Sequence, residues 1–526
     1  MELIQKKEKI IFYSLLILCV GLRLIGITNE LNDYHHFRQT YTAAFSKYFF
    51  ENSMNLFDPR LDILNYKNIS EFQLYSYLVA ILYKIFGYHD IIGRLVSIFF
   101  SALSFVFLYK LIKRIFDVPS AVFGIFLYTV LPLSIYYSRV FMLESMMIFL
   151  SIASIYSFLN WLDSEKNLDL FWAILACALT LLIKIPTVYI LFPIIFLIFQ
   201  KHGLQTFRRV SSYVYGFCIL LPAFYWYFLH ARFFPELNEF VDKRVAGAYY
   251  SSAAWEYYIA LMKNSNTWTS IFLQSIAEYH LAIAGFYFTL GGAYLLVKQM
   301  FMSATENASK QAYLFLFWIL GFICFILGFI APNLAHEYYQ LPIVIPCVAI
   351  SGYYLKTIFS TPRISLLNNL SFFMHILLLV AILPFSYNKL QSRLKPDTFY
   401  TDFAIEVKKI VPKEEKVIAI DNTPRTEVFY FSDRKGYQLI VLGVFVISLN
   451  QTPEENRQAV ITEILEYQKK GAKYFIVPYR EFGLMISWLK DYLDKNHICK
   501  LGCDITPEDV LAKNPKIKGF IYELKP

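Results

Sequence analysis

Apolar blocks long enough to cross a bilayer alternate with short polar segments over most of the chain. A membrane-crossing helix needs about 20 apolar residues, because the hydrocarbon core is about 30 Å thick. The fifth and sixth blocks meet at Lys184 and Pro186 and form either a tight hairpin or one kinked span, which would change the parity of the count. If these two blocks are counted as two helices, the sequence predicts eleven membrane helices in all. They lie at residues 10–27, 91–112, 118–137, 141–161, 170–185, 187–200, 210–230, 280–298, 311–331, 340–358 and 366–386.

Lysine and arginine are concentrated in every second loop between these blocks. In the eleven-helix prediction the basic clusters all lie on one side of the membrane, at residues 6–9, 110–114, 201–209, 298–310 and 356–363. Basic loops usually face the cytoplasm, so we predict a cytoplasmic N-terminus. An odd number of helices then places the chain after residue 387 outside, in a multi-pass protein of the cytoplasmic membrane. The first block lacks a small-residue cleavage site and is predicted to remain as a helix.

The composition is that of a polytopic membrane protein. Of the 526 residues, 57% are hydrophobic, 18% are aromatic and 17% are charged, which excludes an ordinary soluble protein. A formal net charge of +9 would suggest a nucleic-acid partner in a soluble protein. The basic loops account for much of that excess here, so we predict contact with membrane lipids and no nucleic-acid partner.

The last part of the chain has the pattern of a small soluble domain. Alternating strands and helices favour an α/β fold with a largely parallel sheet. We therefore predict a transmembrane catalytic domain at residues 1–387, with a long first external loop at 28–90, and an extracytoplasmic α/β domain at 388–526. In that domain we predict strands near 416–421, 438–442, 473–477 and 519–524, and helices near 401–410, 452–470 and 480–493. It shows no glycine-rich phosphate loop, so we predict a docking or accessory role.

The cysteines fall into two groups. Five lie within predicted helices and have the pattern of small buried hydrophobic residues. Cys499 and Cys503 lie in the predicted external domain, four residues apart. A disulfide is compatible with an oxidising compartment, but sequence spacing alone does not establish one.

The highest density of reactive side chains lies in residues 32–39, Asn-Asp-Tyr-His-His-Phe-Arg-Gln, directly after the first apolar block. Charged groups at the membrane boundary are costly, so such a cluster usually marks a substrate or ion path. Asp33, His35, His36 and Arg38 are therefore candidate site residues. The alternative is a hydrophilic loop that happens to be rich in histidine.

Three further charged residues are predicted on the same external face. Arg139 and Glu144 stand at the junction of the third and fourth helices, and Lys184 ends the fifth. An intramembrane carboxylate is a functional-site candidate by default. The alternatives are a structural acid, either protonated or paired with arginine, for Glu144, and a helix-end cation that reaches the membrane interface for Lys184.

Other candidates lie in the first external loop and at the starts of two helices. Glu71 precedes an amphipathic stretch at 72–86, which we expect to lie on the membrane surface. Arg94 opens the second helix. The tenth helix opens with a polar and aromatic run, for which the alternative is an aromatic belt at the interface. That run is His336, Glu337, Tyr338, Tyr339 and Gln340.

In order and spacing, these motifs resemble those of polytopic glycosyltransferases of the C-type fold (GT-C) that use a polyprenyl-phosphate sugar donor. The resemblance is to the group of the protein O-mannosyltransferases and the aminoarabinose lipid A transferases, and it covers about the first 360 residues. It implies a polytopic helical membrane fold, and the predicted C-terminal domain matches the extracytoplasmic domain that is common in the family. The matching segments are the acidic motif at 32–39, the Tyr-rich segment at 71–78, and residues 94–97, 139–144, 182–186 and 336–342.

The resemblance implies inverting transfer of one sugar from a polyprenyl monophosphate carrier to a lipid, glycan or protein acceptor outside the cytoplasmic membrane. Asp33 stands at the position of the family's essential loop acid, and Glu144 stands at a second acidic position that is more often Asp. Position 34 is Tyr where the family commonly has Glu. The Lys-Pro-Pro segment of lipid A transferases is replaced by residues 71–73, Glu-Phe-Gln, so carrier binding must rely on other cations. The acceptor does not follow from the resemblance.

The residue types suit this chemistry. A carboxylate can act as general base on an acceptor hydroxyl, and Asp33 is our candidate. The leaving phosphate gains charge, which Arg38, Arg139 and Lys184 can stabilise. Asp33 with His35 and His36 offers ligands for a divalent cation. Adjacent histidines point in different directions, however, so a metal is left as an open alternative.

Two rival functions come from other classes. A transporter of a polar or lipid-linked substrate would also need many helices and buried charges. It is disfavoured because the sequence has no visible internal repeat and no paired glycine-broken helices. A scaffold in which the C-terminal domain does the work would leave the clustering of polar groups on one membrane face unexplained.

Overall fold

The computed structural model describes residues 2–66, 71–230, 252–301, 310–362, 365–421, 426–440, 453–478, 486–504 and 519–525. The chain divides into two compact units. The helical unit comprises Met1–Thr28, Ile91–His230 and Glu256–Leu394. The loop–tail unit comprises Asn29–Asp90, Ala231–Trp255 and Lys395–Pro526.

Every predicted membrane helix falls on helical structure. Two α-helices lie in the first loop and belong to the loop–tail unit. The other described α-helices up to Arg393 are Glu2–Leu24, Asp90–Ile115, Val118–Val130, Pro132–Tyr137, Glu144–Ser164, Asn167–Ile183, Leu191–His202, Val210–Phe224, Ser252–Lys263, Ser265–Trp268, Ala284–Phe301, Leu314–Gly328, Ile330–Ala335, Val344–Ser360 and Leu366–Arg393. Among the described residues, 3-10 turns occur at Ile185–Ile190, Gly203–Arg208, Lys310–Tyr313 and Glu337–Ile343, and π-helical turns occur at Tyr225–His230 and Thr269–His280.

Length and apolar composition identify the helices able to cross a membrane. Within the described residues seven qualify, and an eighth arises if the bent pair Ser265–His280 and Ala284–Phe301 is one span. The predicted spans at 118–137 and 170–185 fall on shorter apolar helices, Val118–Val130 and Asn167–Ile183. The protein is therefore a multi-pass membrane protein, and the count of eleven stays a prediction.

The bent pair shows a feature that the apolar pattern did not predict. The direction of the helix axis changes by 104° between the two helices. Ala282 and Ile283, at the break, both adopt positive φ, at 56° and 52°. A β-branched residue rarely adopts this left-handed conformation, because its side chain crowds the backbone. No glycine lies at the break itself, so the residue pattern contains no marker of it.

Small residues allow close helix packing inside the helical unit. A Cβ built on Gly352 would lie 2.3 Å from the Ser120 carbonyl oxygen, and one on Gly292 would lie 2.4 Å from that of Ile350. These contacts join Val344–Ser360 to Val118–Val130 and to Ala284–Phe301. Close backbone approach at small residues is typical of helices that pack within membranes.

The described part of the loop–tail unit contains a five-stranded sheet and six helices outside the membrane-crossing set. The strands are β1 (Lys416–Asp421), β2 (Gly436–Ile440), β3 (Ala472–Pro478), β4 (Ile498–Leu501) and β5 (Gly519–Glu523), in the order β2-β1-β3-β5-β4. The helices are His36–Glu51, Leu74–Phe86, Phe399–Ile410, Glu427–Ser432, Pro453–Lys469 and Ile486–Asn496. The first six residues of the predicted helix at 480–493 and the end of the predicted strand at 438–442 lie outside the described residues.

The sheet is mixed rather than largely parallel, which corrects the prediction. β1 is parallel to β2 and β3, whereas β5 is antiparallel to both β3 and β4. Val417 pairs with Gly436, and Phe475 pairs with Tyr522. β4 was not predicted; it is only four residues long, and its side chains are half-buried or exposed. Cys499 in β4 forms a disulfide with Cys503, which settles a pairing that the sequence left open.

The first loop adds to the edge of this sheet. Ile63 forms a parallel bridge with Gly436 in β2. The Leu64 amide donates to the Gly436 carbonyl oxygen at 2.7 Å, and the Gly436 amide donates to that of Asp62 at 3.0 Å. Because β2 is an edge strand, these bonds satisfy backbone groups that would otherwise be open. The loop and the C-terminal domain thus fold as one unit.

Candidate functional site

Asp33 is buried beside the first turn of the helix His36–Glu51, hereafter the loop helix. Asp33 is only 1% exposed to solvent. The Gln39 side-chain amide donates a hydrogen bond to the Asp33 carboxylate and a weaker one to the Tyr34 carbonyl oxygen, at 3.3 Å. His35 adopts a left-handed φ of 56°, which turns the chain back so that Asp33 faces the helix. Gln39 lies within the predicted motif but had no role assigned to it.

Arg38 and Glu71 form an ion pair across the first loop, so two predicted site residues meet. Both side chains are largely buried, at 13% exposure. The Arg38 guanidinium also lies 5.2 Å from the centre of the Tyr41 ring. Burial raises the pKa of the neighbouring Tyr66 hydroxyl to about 12, so this phenol stays neutral. Arg38 is therefore an anchored cation with its charge balanced by Glu71.

His36 faces two carboxylates of the C-terminal domain. Its Nδ1 lies 3.1 Å from Glu427 Oε1, and its Nε2 lies 3.7 Å from Asp397 Oδ2. Glu427 is fully buried. Sequence reasoning missed both acids, because each is separated from His36 by more than 350 residues. No local pattern distinguishes them from surface acids.

In the helical unit, Glu144 and Lys184 form a buried ion pair. Lys184 Nζ lies 2.9 Å from Glu144 Oε1, and both side chains are at most 4% exposed. Glu144 begins the helix Glu144–Ser164, where a carboxylate is favoured by the helix dipole. Lys184 occupies an extended break before Ile185–Ile190. Its Nζ also lies 4.5 Å and 5.2 Å from the ring centres of Tyr339 and Tyr338.

A second buried acid lies next to this pair. Glu337 accepts a hydrogen bond from the Tyr137 hydroxyl at 3.0 Å and pairs with Arg393 at 2.7 Å. His280 Nε2 lies 3.0 Å from the Glu337 carbonyl oxygen. The Tyr137 ring packs edge-on against that of Tyr338, 6.2 Å between centres. The two acid–cation pairs are therefore joined through aromatic rings, and Tyr137, His280 and Arg393 are residues that sequence analysis missed.

The rest of the 336–340 segment is held by local contacts. The Gln340 side-chain amide donates to the Asn333 carbonyl oxygen at 2.6 Å. The His336 ring stacks on Tyr338 with 5.3 Å between centres. These contacts fix the 3-10 turn Glu337–Ile343, which presents Tyr338 and Tyr339 to Lys184.

Arg94 and Arg139 converge on the chain that follows the first helix. Arg139 Nη2 donates to the Gly26 carbonyl oxygen at 2.6 Å, and Arg94 Nη1 donates to those of Gly26 and Ile27 at 3.1 Å and 3.2 Å. Cations are favoured near the C-terminal end of a helix, where carbonyl groups are left unpaired. Arg23, which was not predicted, is also fully buried and donates to the Tyr128 carbonyl oxygen at 3.2 Å.

The predicted site residues are divided between the two units. Asp33, His35, His36, Arg38 and Glu71 lie in the loop–tail unit, and the others lie in the helical unit. Among the described residues, no group of three or more His, Cys, Asp or Glu side chains is arranged to bind a metal ion.

Comparison with known proteins identifies the fold. Residues 73–228 match the model of the family described as dolichyl-phosphate-mannose-protein mannosyltransferase. No curated protein matches this chain. ArnT from Cupriavidus metallidurans, solved with bound undecaprenyl phosphate, is similar with a TM-score of 0.60 at 12% identity, over 96% of this chain and 97% of that one.

Two further solved structures are similar. The archaeal oligosaccharyltransferase AglB from Archaeoglobus fulgidus, in complex with an inhibitory peptide and a dolichol-phosphate, gives a TM-score of 0.59 at 11% identity, over 93% of this chain and 72% of that one. The arabinofuranosyltransferase AftD from Mycobacteria gives 0.51 at 11% identity, over 99% and 40%. The resemblance predicted from the sequence is confirmed. The chain has the fold of the polytopic C-type glycosyltransferases and carries, at residues 73–228, a segment that matches the dolichyl-phosphate-mannose-protein mannosyltransferase family.

Proposed function

We propose that this protein is a membrane glycosyltransferase. It moves one monosaccharide from a polyprenyl-phosphate carrier to a lipid, glycan or protein acceptor on the outer face of the cytoplasmic membrane. The observation that carries the proposal is the likeness, over nearly the whole of both chains, to a transferase structure that contains undecaprenyl phosphate. The family match at residues 73–228 supports it independently.

In the proposed reaction, the acceptor oxygen attacks the anomeric carbon while the bond from that carbon to the phosphate oxygen breaks. The configuration inverts, because the displacement is single. Asp33 takes the acceptor proton, and the carrier leaves as a phosphate with one additional negative charge. The burial of Asp33 and the hydrogen bond from Gln39 suit a positioned base, since such a group must be held within reach of the proton that it removes.

Cations are assigned to the carrier phosphate. Lys184 offers an ammonium group beside the rings of Tyr338 and Tyr339, and Arg139 offers a guanidinium group held at Gly26. Such groups lower the barrier when they meet charge that develops on the leaving oxygen. In this assignment Glu144 balances the charge of Lys184 until the phosphate arrives, and Glu337 orients its neighbours through Tyr137. His35, Arg38, Glu71, Arg94, His336 and Gln340 are assigned to the walls of the substrate sites.

The orientation is part of the proposal, with the C-terminal domain facing away from the cytoplasm. The Cys499–Cys503 disulfide supports this side, because disulfides persist in oxidising compartments. The basic loops at 110–114 and 201–209 support a cytoplasmic location for the opposite side.

A transfer assay tests the function. The purified protein in lipid nanodiscs is incubated with radiolabelled polyprenyl-phosphate sugars, hexosyl and pentosyl in parallel, together with cell-envelope extract. We expect label to move from the carrier to an acceptor fraction with one of the donors, and free polyprenyl phosphate to accumulate in equal amount. If no label is transferred from any of the donors, the proposal is contradicted. Protein-dependent movement of intact donor across the membrane of sealed vesicles would favour the transporter alternative.

A further inference from the structure

The first turn of the loop helix connects Asp33 to the C-terminal domain inside the loop–tail unit. Gln39, on one side of this turn, donates to the Asp33 carboxylate. His36 and Thr40 lie four residues apart, so they share another face of the helix. The position of Gln39, which binds Asp33, therefore depends on the residues that bind His36 and Thr40.

That second face is bound by residues from the C-terminal domain. His36 Nδ1 lies 3.1 Å from Glu427, and its Nε2 lies 3.7 Å from Asp397. The contact with Glu427 is within hydrogen-bonding distance, and the contact with Asp397 is longer. The Thr40 and Thr426 hydroxyl oxygens are 3.0 Å apart, and both residues are buried.

The backbone on the other side of Asp33 is fixed by the same domain. The Asp397 amide donates to the carbonyl oxygen of Asn32, the residue directly before Asp33, at 2.6 Å. Asp33 is thus flanked by Asn32 and by the loop helix, and each is bonded to a residue of the C-terminal domain.

We propose that Glu427 and Asp397, acting through His36 and Asn32, are positioning residues that hold Asp33 in its working orientation. The inference rests on the proposed function of Asp33 as base. It gives the C-terminal domain a part in the reaction rather than an accessory role. A displacement of about 1 Å at a reacting group can lower a rate by about a hundredfold, so such a support has a measurable effect.

Steady-state kinetics test the proposal. Glu427→Gln keeps the shape of the side chain and removes its charge, and Thr426→Val removes the hydroxyl with little change in volume. The matched control is Lys473→Gln, which removes an exposed ion pair with Glu415 in the same domain. We expect Glu427→Gln to lower kcat about tenfold to a hundredfold and Thr426→Val to lower it less. Donor KM should stay within about twofold of the wild-type value, and the control should change neither parameter.

A cross-link separates positioning from general damage. Thr40→Cys with Thr426→Cys should form a disulfide, because the two hydroxyl oxygens are in contact. In the Glu427→Gln background, the oxidised form should recover most of the lost kcat, and reduction should remove the gain. An unchanged kcat in folded Glu427→Gln, or equal rates for the oxidised and reduced forms, would overturn the proposal.

Amide hydrogen exchange on the same preparations distinguishes this inference from the proposed function. Exchange in residues 31–51 should be faster in Glu427→Gln than in the wild type and in Lys473→Gln. Unchanged exchange there would overturn the positioning role even if the wild type transfers sugar. Absence of transfer by the wild type would instead remove the proposed function, while the exchange data still decide whether the domain holds this segment.

Discussion

Two buried acids of the helical unit are each paired with a cation, and this limits how single substitutions at these positions can be interpreted. Lys184 with Glu144 and Arg393 with Glu337 are each within hydrogen-bonding distance. Removal of one partner from a buried pair typically costs about 3–5 kcal/mol, because the other charge is left uncompensated. A loss of activity at one of these positions therefore needs a partner variant before it is assigned to catalysis.

Asp33→Asn is the sharpest test at the residue scale. Asparagine has nearly the same shape and can still accept a hydrogen bond from Gln39, so we expect a folded, membrane-inserted protein. Transfer should fall about a hundredfold to ten-thousandfold, which is the range for loss of a general base. The measurement is kcat in the nanodisc assay, with size-exclusion chromatography as the control for folding. Activity within a few-fold of the wild type would remove Asp33 from the role of base.

The carrier-binding cations are tested by varying the donor concentration at fixed acceptor concentration. If Arg139 and Lys184 contact the phosphate, replacing either one with Gln should weaken the use of donor more than that of acceptor. A cation that meets the leaving group should affect kcat, and one that only binds the ground state should mainly raise the apparent donor KM.

The Glu144 partner supplies the control for Lys184. The double variant Lys184→Gln with Glu144→Gln removes the charge imbalance that the single variant creates. Donor kinetics that stay impaired in the double variant support a phosphate contact. Donor kinetics that recover show that Lys184 acts only as the partner of Glu144, and unchanged donor kinetics in both single variants would contradict the assignment altogether.

At the scale of elements, the loop helix has a second attachment with a predicted dependence on pH. Lys47 pairs with Asp433 and lies 3.5 Å from Asp62. Burial lowers the pKa of Lys47, but the carboxylates outweigh it and leave this pKa above its usual value. Burial likewise raises the pKa of Asp433, but hydrogen bonds from Lys47 and Lys413 leave it below its usual value.

The sign of each effect follows from linkage. The stability from Asp433 is fully present above its unfolded pKa of about 3.9 and is lost as pH falls through the lower folded value. The stability from Lys47 is fully present below its unfolded pKa of about 10.4 and is lost as pH rises through the higher folded value. We expect exchange in residues 44–51, corrected for its intrinsic pH dependence, to be slowest between these limits. Lys47→Gln should flatten the profile, and an unchanged profile would contradict the role of the pair.

The sequence predicted the secondary-structure elements better than the contacts between them. Periodicity located strands β1 and β3 and the helices that can cross a membrane, because each has a strong local pattern. It could not show that β5 runs antiparallel to β3, since strand order depends on contacts between distant residues. The site follows the same division: Glu144 and Lys184 were predicted as individual residues, whereas Glu427, Asp397 and Arg393 acquire a role only through partners far away in the chain.

At the scale of the whole molecule, the loop–tail unit constrains the membrane topology. Residues 29–90 fold with residues after 395, so both segments must lie on the same side of the membrane. The chain between them must then cross an even number of times. If the bent pair crosses once, it brings the seven apolar helices to eight crossings among the described residues, and Val118–Val130 with Asn167–Ile183 would give ten. Both totals are even, and ten, together with the first helix, gives the predicted eleven.

This constraint makes the topology testable at two points in the chain. Alkaline phosphatase fused after Lys395 should be active and a fluorescent protein there should be dark, because the proposed location is outside the cytoplasm. Fusions after Gly203, in a basic loop, should give the opposite pair of results. In the first loop, the exposed Ser53 changed to Cys should react in intact cells with a maleimide that does not cross membranes. Reversed fusion results at Lys395 would contradict the proposed orientation. Opposite sides for Ser53 and Lys395 would contradict the loop–tail unit itself, since one compact unit cannot lie on both faces of a bilayer.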